Sequence, residues 1–203
     1  MAEKQRKLKQ TGNKIKGVPS LNESGKNIKI SITGDLGSGK STVCQYLSKN
    51  YGLTVYSIGS IQRSLAEKYG MDIYEFNKYM ETHTEIDEEI DTELAKIGKR
   101  NENMVLDSRM AWHFVPDSFK VYLSVQLDEA AKRIMNADRG AVESYSCLEE
   151  AKNKIIERKR SENMRYINKY GVDCSNPDNY DLIIDTTFLS PEEVAEQIMS
   201  AIR

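Results

Sequence analysis

The residue pattern with the clearest chemistry is Gly-Asp-Leu-Gly-Ser-Gly-Lys-Ser at positions 34–41, which matches G-x-x-x-x-G-K-[ST] in full. Alternating isoleucines at positions 28–33 predict a strand before it, and apolar residues at helical spacing within 42–49 predict a helix after it. A strand, a glycine-rich turn and a helix N-terminus together direct backbone N–H groups at an anion. In this context Lys40 supplies a positive charge for phosphate oxygens, and the Ser41 hydroxyl is a magnesium ligand. The segment is therefore predicted to bind a nucleoside triphosphate.

The predicted ATP-binding residues of this loop share either a small side chain or a backbone N–H near the phosphates. Glycines there adopt positive φ and leave no Cβ between the backbone and the ligand. They are Gly34, Leu36, Gly37, Ser38, Gly39, Lys40, Ser41 and Thr42.

Candidate partners of the loop follow two other predicted strands. Asp107 and Arg109 come directly after the apolar run Met104–Leu106, and Ser57 and Gly59 end an earlier run. Ligands of parallel α/β sheets lie at the carboxyl ends of the strands, so these residues are expected beside the loop. Asp107, with Ser41, is predicted to hold Mg²⁺ directly or through water.

Arginines supply the remaining charge that phosphoryl transfer needs, because planar guanidinium groups grip phosphate oxygens. Arg63 lies one turn into the helix after Gly59. Arg158 and Arg165 are seven residues apart on a long basic helix, with Glu162 between them on the same face. Two further arginines, Arg133 and Arg139, lie on either side of a segment that precedes this helix.

The overall composition excludes several other classes of protein. The chain has 203 residues and a net charge of −2, with +5 on residues 1–27 and −7 on the remainder. A basic extension on an acidic body argues against a nucleic-acid-binding folded domain. The three cysteines form no C-x-x-C pair, which argues against a zinc site or a disulfide framework. No apolar run approaches the roughly 18 residues of a membrane span, so no membrane partner is expected. The cysteines are interpreted as reduced thiols, and a cytoplasmic protein is expected. A monomer or weak dimer is expected as well.

The elements that must position these residues alternate between strands and helices. Strands are predicted at 28–33, 53–58, 104–107, 119–125 and 180–186. Ser60 is predicted to cap a helix whose apolar face carries Ile61, Leu65 and Tyr69, and capping boxes are predicted at Asp72 and Ser190. This order requires a parallel five-stranded sheet with helices on both faces, an α/β fold that begins near residue 28, after a basic and flexible extension at 1–27.

Several short segments together resemble the cytidylate kinases, especially their compact archaeal-type branch. Beyond the phosphate loop, the resemblance rests on Ser57-Ile58-Gly59 with Arg63, on Glu75–Tyr79, on Glu85-Ile86-Asp87 with Ile90-Asp91, on Leu106–Arg109, on Glu157-Arg158, on Arg165-Tyr166, on Tyr180–Thr186 and on Leu189–Val194. It covers the chain from about Ile28 to the C-terminus. It implies a P-loop three-layer fold with a helical region at about 60–98 that binds the nucleoside monophosphate and a lid at about 134–160.

The resemblance also implies phosphoryl transfer from ATP to CMP or dCMP, with Mg²⁺. Lys40, Arg109, Arg158 and Arg165 would be catalytic, and Arg133 and Arg139 would lie over ATP. The implied acceptor-binding residues are Ser57, Gly59, Arg63, Asn77, Asp107, Arg109, Arg158, Glu162 and Arg165. No general base is expected, because the acceptor phosphate is already ionised near neutral pH.

Two alternatives remain open at the level of sequence. Ser108 stands where the family usually has Gly, and Lys159-Arg160 stand where acidic residues are common, so the acceptor could be another nucleotide or a small metabolite. The second alternative is a non-catalytic protein gated by nucleotide binding. Several arginines facing a second site favour the enzyme, since a nucleotide switch needs one phosphate site only.

Overall fold

A computed structural model describes residues 27–136 and 145–202. Its centre is a parallel sheet of five strands in the spatial order β2-β3-β1-β4-β5. The strands are β1 Lys29–Gly34, β2 Thr54–Ser57, β3 Met104–Asp107, β4 Phe119–Ser124 and β5 Leu182–Asp185. The predicted strands are thus all present, and the predicted α/β class is confirmed.

Helices connect the strands and cover the sheet. They are α1 Lys40–Tyr51, α2 Ile58–Lys68, α3 Ile73–Thr82, α4 Thr84–Gly98, α5 Ala111–Phe114, α6 Leu127–Asn136, α7 Leu148–Tyr170 and α8 Pro191–Ala201, with a short 3-10 helix at Pro177–Asn179. The core on one face of the sheet joins the β-branched residues of β1 and β4 to the buried faces of α1 and α8. The predicted capping boxes at Asp72 and Ser190 both form.

The strand register brings the predicted functional segments to one edge of the sheet. Asp107 at the end of β3 is paired with Ile32 of β1 and with Ser57 of β2. Gly34, where the phosphate loop begins, lies beside Leu123 of β4. Since all five strands are parallel, their carboxyl ends meet at this edge, which is the place where α/β proteins bind ligands.

The predicted start and buried face of α2 were wrong. The helix begins at Ile58 with Ser57 as its N-cap residue, three positions before the expected cap at Ser60. Its buried residues are Ile58, Gln62 and Ala66, whereas Ile61 is 43% exposed and Tyr69 48% exposed. The expected face followed apolar residue types alone. The observed face places Gln62 on the wall of a cleft, between Ile58, which packs in the core beside β3, and Ala66, which packs against α3.

Sequence periodicity also missed α5, since four residues span little more than one helical turn and show no period. Within the described residues, no helix combines the length and apolar character needed to cross a bilayer. Residues 1–26 of the predicted extension (1–27) and Arg139 lie outside the described residues.

Candidate functional site

The loop at residues 34–41 has a backbone that only glycine accommodates at two points. Gly34 has φ 146° and Gly37 has φ 78°. A Cβ at Gly34 would lie 2.1 Å from the Leu123 carbonyl oxygen, and one at Gly37 would lie 2.7 Å from that of Ala130. The loop is therefore pressed against β4 and α6 before it enters α1 at Lys40. Its shape is set by backbone packing, as expected for an anion cradle.

Lys40 lies across this loop rather than in solvent. Its Nζ donates hydrogen bonds to the carbonyl oxygens of Gly34 at 3.0 Å and Asp35 at 2.7 Å. Burial, reinforced by the nearby Arg109 charge, lowers the pKa of Lys40 to about 7. A phosphate group bound on the loop would place negative charge beside Lys40 and stabilise its ammonium form.

Ser41 and Asp107 form the oxygen pair predicted for magnesium. The Ser41 Oγ donates to Asp107 Oδ2 at 2.8 Å, and Ser57 Oγ donates to the same oxygen at 3.2 Å. In the described part of the chain, no three His, Cys, Asp or Glu side chains cluster as a metal site. Magnesium commonly takes one or two protein oxygens and completes its shell with water and phosphate, so a Ser–Asp pair suits it.

A cleft of about 310 Å³ opens beside the loop. It gathers residues from the loop, from the end of β3, and from the helices α2, α4 and α7. Of the predicted site residues, it is lined by Leu36, Gly37, Gly39, Lys40, Ser41, Thr42, Gly59, Arg63, Asp107, Arg109, Arg158 and Glu162. The fold therefore brings together, on one surface, a phosphate loop and three arginines that are remote in sequence.

Two of these arginines share one buried carboxylate. Glu162 Oε2 accepts from Arg109 Nε at 2.6 Å, and Glu162 Oε1 accepts from Arg158 Nε at 2.7 Å. Burial alone would raise the pKa of Glu162, but the charges of Arg109 and Arg158 outweigh it and lower that pKa to about 2. Arg109 also donates to the carbonyl of Gly34, so it touches the phosphate loop as well. Glu162 thus fixes the two guanidinium groups at the cleft wall.

Arg165 and Asn77, also predicted to bind the acceptor, lie behind this wall and are not among the residues that line the cleft. Arg165 is 6% exposed and forms an ion pair with Asp87, with Nε and Oδ2 separated by 3.2 Å. Its Nη1 donates to the Asn77 side-chain oxygen at 3.4 Å. The predicted face of α7 is confirmed, since Arg158, Glu162 and Arg165 are all buried on it. In this structure Arg165 joins α7 to α3 and α4.

A second cavity, of about 300 Å³, lies on the other side of the loop. It shares Gly37, Gly39 and Thr42 with the first cleft and adds Ser38 and Arg133. Arg133 Nη2 donates to the carbonyl oxygens of residues 186 and 187 at 2.9 and 3.0 Å. Arg133 is therefore fixed at the edge of this cavity, against the segment that follows β5.

Sequence reasoning did not assign several polar residues to the cleft, although the structure places them there. Asp87, Asp91 and Gln62 line it together with the predicted residues. The two aspartates were noted only as part of a family-like segment, and Gln62 was assigned to no face. A signal was present in the spacing, because positions 87, 90, 91 and 94 fall on one helical face that mixes carboxylates with apolar residues.

With this geometry described, the chain can be compared with known proteins. The model of the cytidylate kinase-like family matches residues 29–188. The chain belongs to that family. It is 35% identical over 174 residues to the cytidylate kinase of Methanobrevibacter smithii, which covers 86% of this chain and 98% of the relative. It is 37% identical over 179 residues to that of Thermoplasma volcanium, covering 86% and 91% of the two chains. The predicted resemblance is confirmed.

Solved structures agree with the fold of this cytidylate kinase-like chain. Shikimate kinase from Bacteroides thetaiotaomicron superposes with a TM-score of 0.58 at 14% identity, over 85% of this chain and 97% of the other. At that identity the similarity concerns the fold alone. The α/β P-loop kinase fold is confirmed.

Proposed function

We propose that this protein transfers the γ-phosphoryl group of ATP to CMP or dCMP and releases ADP and CDP or dCDP. The proposal rests on two cavities that lie on opposite sides of the phosphate loop. Both cavities are lined by Gly37, Gly39 and Thr42, so they meet at the loop. A transfer between two nucleotides needs a donor and an acceptor site that meet at the transferred phosphate. Membership of the cytidylate kinase-like family supports CMP as the acceptor.

On the donor side, the second cavity receives the ATP base and ribose, and the loop receives its phosphates. Lys40 leaves the loop carbonyls that it contacts now and turns to the β- and γ-phosphate oxygens. Arg133 borders the base pocket. Because the loop is held by backbone packing, its reorganisation costs little free energy when charge develops in the transition state.

Ser41 and Asp107 would hold Mg²⁺, directly or through water. When bound, the ion neutralises charge on the β- and γ-phosphate oxygens. Ser57 supports this pair by donating a second hydrogen bond to Asp107 Oδ2.

On the acceptor side, Arg63, Arg109 and Arg158 converge on the cleft and would hold the acceptor phosphate and the transferred group. Arg109 lies between the two substrates, since it contacts Gly34 of the loop and Glu162 of α7. The acceptor phosphate is already ionised near pH 7, so transfer requires alignment and charge neutralisation and no general base. Roles for Arg165 and Asn77 in binding the acceptor stay predictions.

Exclusion of water is the remaining requirement, because ATP bound without an acceptor would otherwise be hydrolysed. We assign this task to residues 134–160, including Arg139, closing over the loop, and acceptor binding to residues 60–98. The Tyr145 hydroxyl lies 2.5 Å from that of Tyr74 on α3, so these two regions already touch in the described structure. The cytoplasmic location and the monomeric or weakly dimeric state also stay predictions.

Steady-state kinetics over a panel of acceptors test the proposal. ADP release is measured with CMP, dCMP, UMP, AMP, GMP and shikimate, each with MgATP. The proposal expects the highest kcat/KM with CMP or dCMP. Faster turnover with another acceptor would overturn the choice of cytidylate, and ATP binding without acceptor-dependent turnover would overturn the assignment as an enzyme.

A further inference from the structure

One wall of the acceptor cleft carries carboxylates that phosphoryl transfer does not use. Asp87, Ile90, Asp91 and Leu94 all line the cleft from α4, at spacings of three, one and three residues. They form a single helical face in which two carboxylates alternate with two apolar side chains. We name these four residues the α4 face.

The carboxylates of the α4 face are held in place while retaining capacity to accept hydrogen bonds. Asp87 is 4% exposed, and its buried Oδ2 forms an ion pair with Arg165 Nε at 3.2 Å. Asp91 accepts from the Tyr170 hydroxyl through Oδ2. A carboxylate has about four lone-pair sites, so a contact at Oδ2 leaves each aspartate able to accept a hydrogen bond from a ligand in the cleft that it lines.

Burial makes both carboxylic acids weaker than usual. It raises the pKa of Asp87, and it raises that of Asp91 to about 6 despite the hydrogen bond from Tyr170. A negatively charged phosphate bound next to them would increase this cost further. The α4 face therefore suits an uncharged part of the acceptor that offers N–H or O–H donors.

The apolar side chains of the same wall indicate that the uncharged part of the acceptor is a flat ring. Ile90 and Leu94 lie on the α4 face, and Ile58 at the start of α2 lines the cleft as well. Gln62, one turn after Ile58, adds an amide that can donate to a ring nitrogen or a carbonyl oxygen. Apolar surfaces with a few convergent polar groups are the usual lining of a pocket for a nucleobase.

Resting on the proposed function, we propose that Asp87 and Asp91 select the acceptor base by accepting hydrogen bonds from an exocyclic ring amino group. Cytosine carries an amino group at C4, where uracil carries a carbonyl oxygen. The uracil carbonyl oxygen cannot donate a hydrogen bond, and its lone pairs would repel a neighbouring carboxylate oxygen. The α4 face therefore rejects uracil and binds cytosine. Such polar mismatches discriminate strongly, because they leave buried groups unpaired.

Two variants and one control test this assignment. Asp91→Asn and Asp87→Asn keep side-chain size but replace an acceptor by an amide that can also donate. Glu89→Gln removes a carboxylate from the exposed side of the same helix and serves as the matched control. For each protein, kcat/KM is measured with CMP, dCMP and UMP, and calorimetry measures CMP, UMP and ATP affinities.

We expect both Asn variants to lose about 10- to 100-fold in kcat/KM and in affinity for CMP, with UMP unchanged or improved. ATP affinity and the behaviour of Glu89→Gln should match the wild type. Equal losses for CMP and UMP would overturn the proposal in favour of a structural role. A loss confined to CMP relative to dCMP would overturn it in favour of a contact to the ribose 2′-hydroxyl.

These results separate the failure of this inference from that of the proposed function. If the wild type does not phosphorylate CMP at all, the proposed function itself fails. If the wild type prefers CMP to UMP and both Asn variants retain that preference, the proposed function stands and the role of Asp87 and Asp91 is refuted.

Discussion

The donor loop and the acceptor wall of this protein are built on different principles. The loop at residues 34–41 is one continuous segment whose shape comes from backbone packing at Gly34 and Gly37. The acceptor wall is assembled from side chains of α2, α4 and α7 and from the end of β3. Its charged groups are paired with one another: Glu162 with Arg109 and Arg158, and Asp87 with Arg165.

The difference explains how each half reaches its ligand. A backbone cradle is ready before the nucleotide arrives, and only the Lys40 side chain has to leave its carbonyl contacts. Arg109 and Arg158 of the acceptor wall are already partly neutralised, because the single Glu162 carboxylate lies between them. An acceptor phosphate therefore competes with Glu162 for the same guanidinium groups, and acceptor affinity depends on the balance between them.

Replacing Lys40 should give the largest effect, because it removes the one side-chain charge that the donor loop itself directs at phosphate. We expect Lys40→Ala to lower kcat by about 10²- to 10³-fold. Stopped assays of CDP formation at saturating CMP and ATP measure this effect. Near-wild-type turnover would show that the loop is not the donor site.

Backbone packing at the loop is tested by two glycines that differ in their surroundings. Gly34→Ala places a Cβ onto the backbone of Leu123, whereas Gly39→Ala meets no atom within 4 Å, although both glycines have positive φ. We expect Gly34→Ala to reduce the free energy of unfolding by about 3 kcal/mol or more, and Gly39→Ala by about 1 kcal/mol. Urea denaturation without nucleotide measures both, and equal losses would contradict a loop shaped by packing.

Glu162→Gln tests the charge pairing of the acceptor wall. It removes the carboxylate charge between Arg109 and Arg158, and it should reduce the free energy of unfolding by about 2–4 kcal/mol. The unbalanced guanidinium groups should then bind inorganic phosphate more tightly than in the wild type, so phosphate should restore part of the lost stability. Thermal denaturation with and without phosphate measures this rescue. If phosphate stabilises both proteins equally, Glu162 does not compete with the acceptor.

The smallest expected effect is a proton taken up by the donor loop. Without nucleotide the pKa of Lys40 is about 7, so the amine is mostly neutral at pH 8. Bound phosphates favour the ammonium form and raise that pKa, so ATP binding at pH 8 should take up somewhat less than one proton. Calorimetry in buffers of different ionisation enthalpy measures the uptake. It should disappear in Lys40→Ala, and uptake that persists there would assign the proton to another group.

The fold could be predicted from local patterns wherever these were long or sharply punctuated. The five strands and the capping boxes at Asp72 and Ser190 follow from short-range chemistry. The buried face of α2 could not be predicted, because it depends on what the helix packs against. Gln62 lies on a cleft wall that α2 forms only together with α4 and α7, and a single sequence does not record that surrounding.

The same division holds for the site. Loop residues were predictable because the segment is continuous and each residue type has a direct chemical reason. The acceptor wall was predictable only for arginines that a resemblance or a helical spacing identified, such as Arg158 and Glu162. Asp87 and Asp91 were missed as site residues, since their importance arises from the packing of α4 against α7, through Arg165 and Tyr170.

The Arg109 side chain contacts both the donor loop and the acceptor wall. Arg109 donates to Gly34 of the donor loop through Nη1 and to Glu162 of the acceptor wall through Nε. If ATP shifts this side chain toward the geometry that the acceptor phosphate requires, linkage demands that the acceptor raise ATP affinity by the same factor. A single guanidinium group can thus make the binding of each substrate cooperative with that of the other, without any movement of subunits.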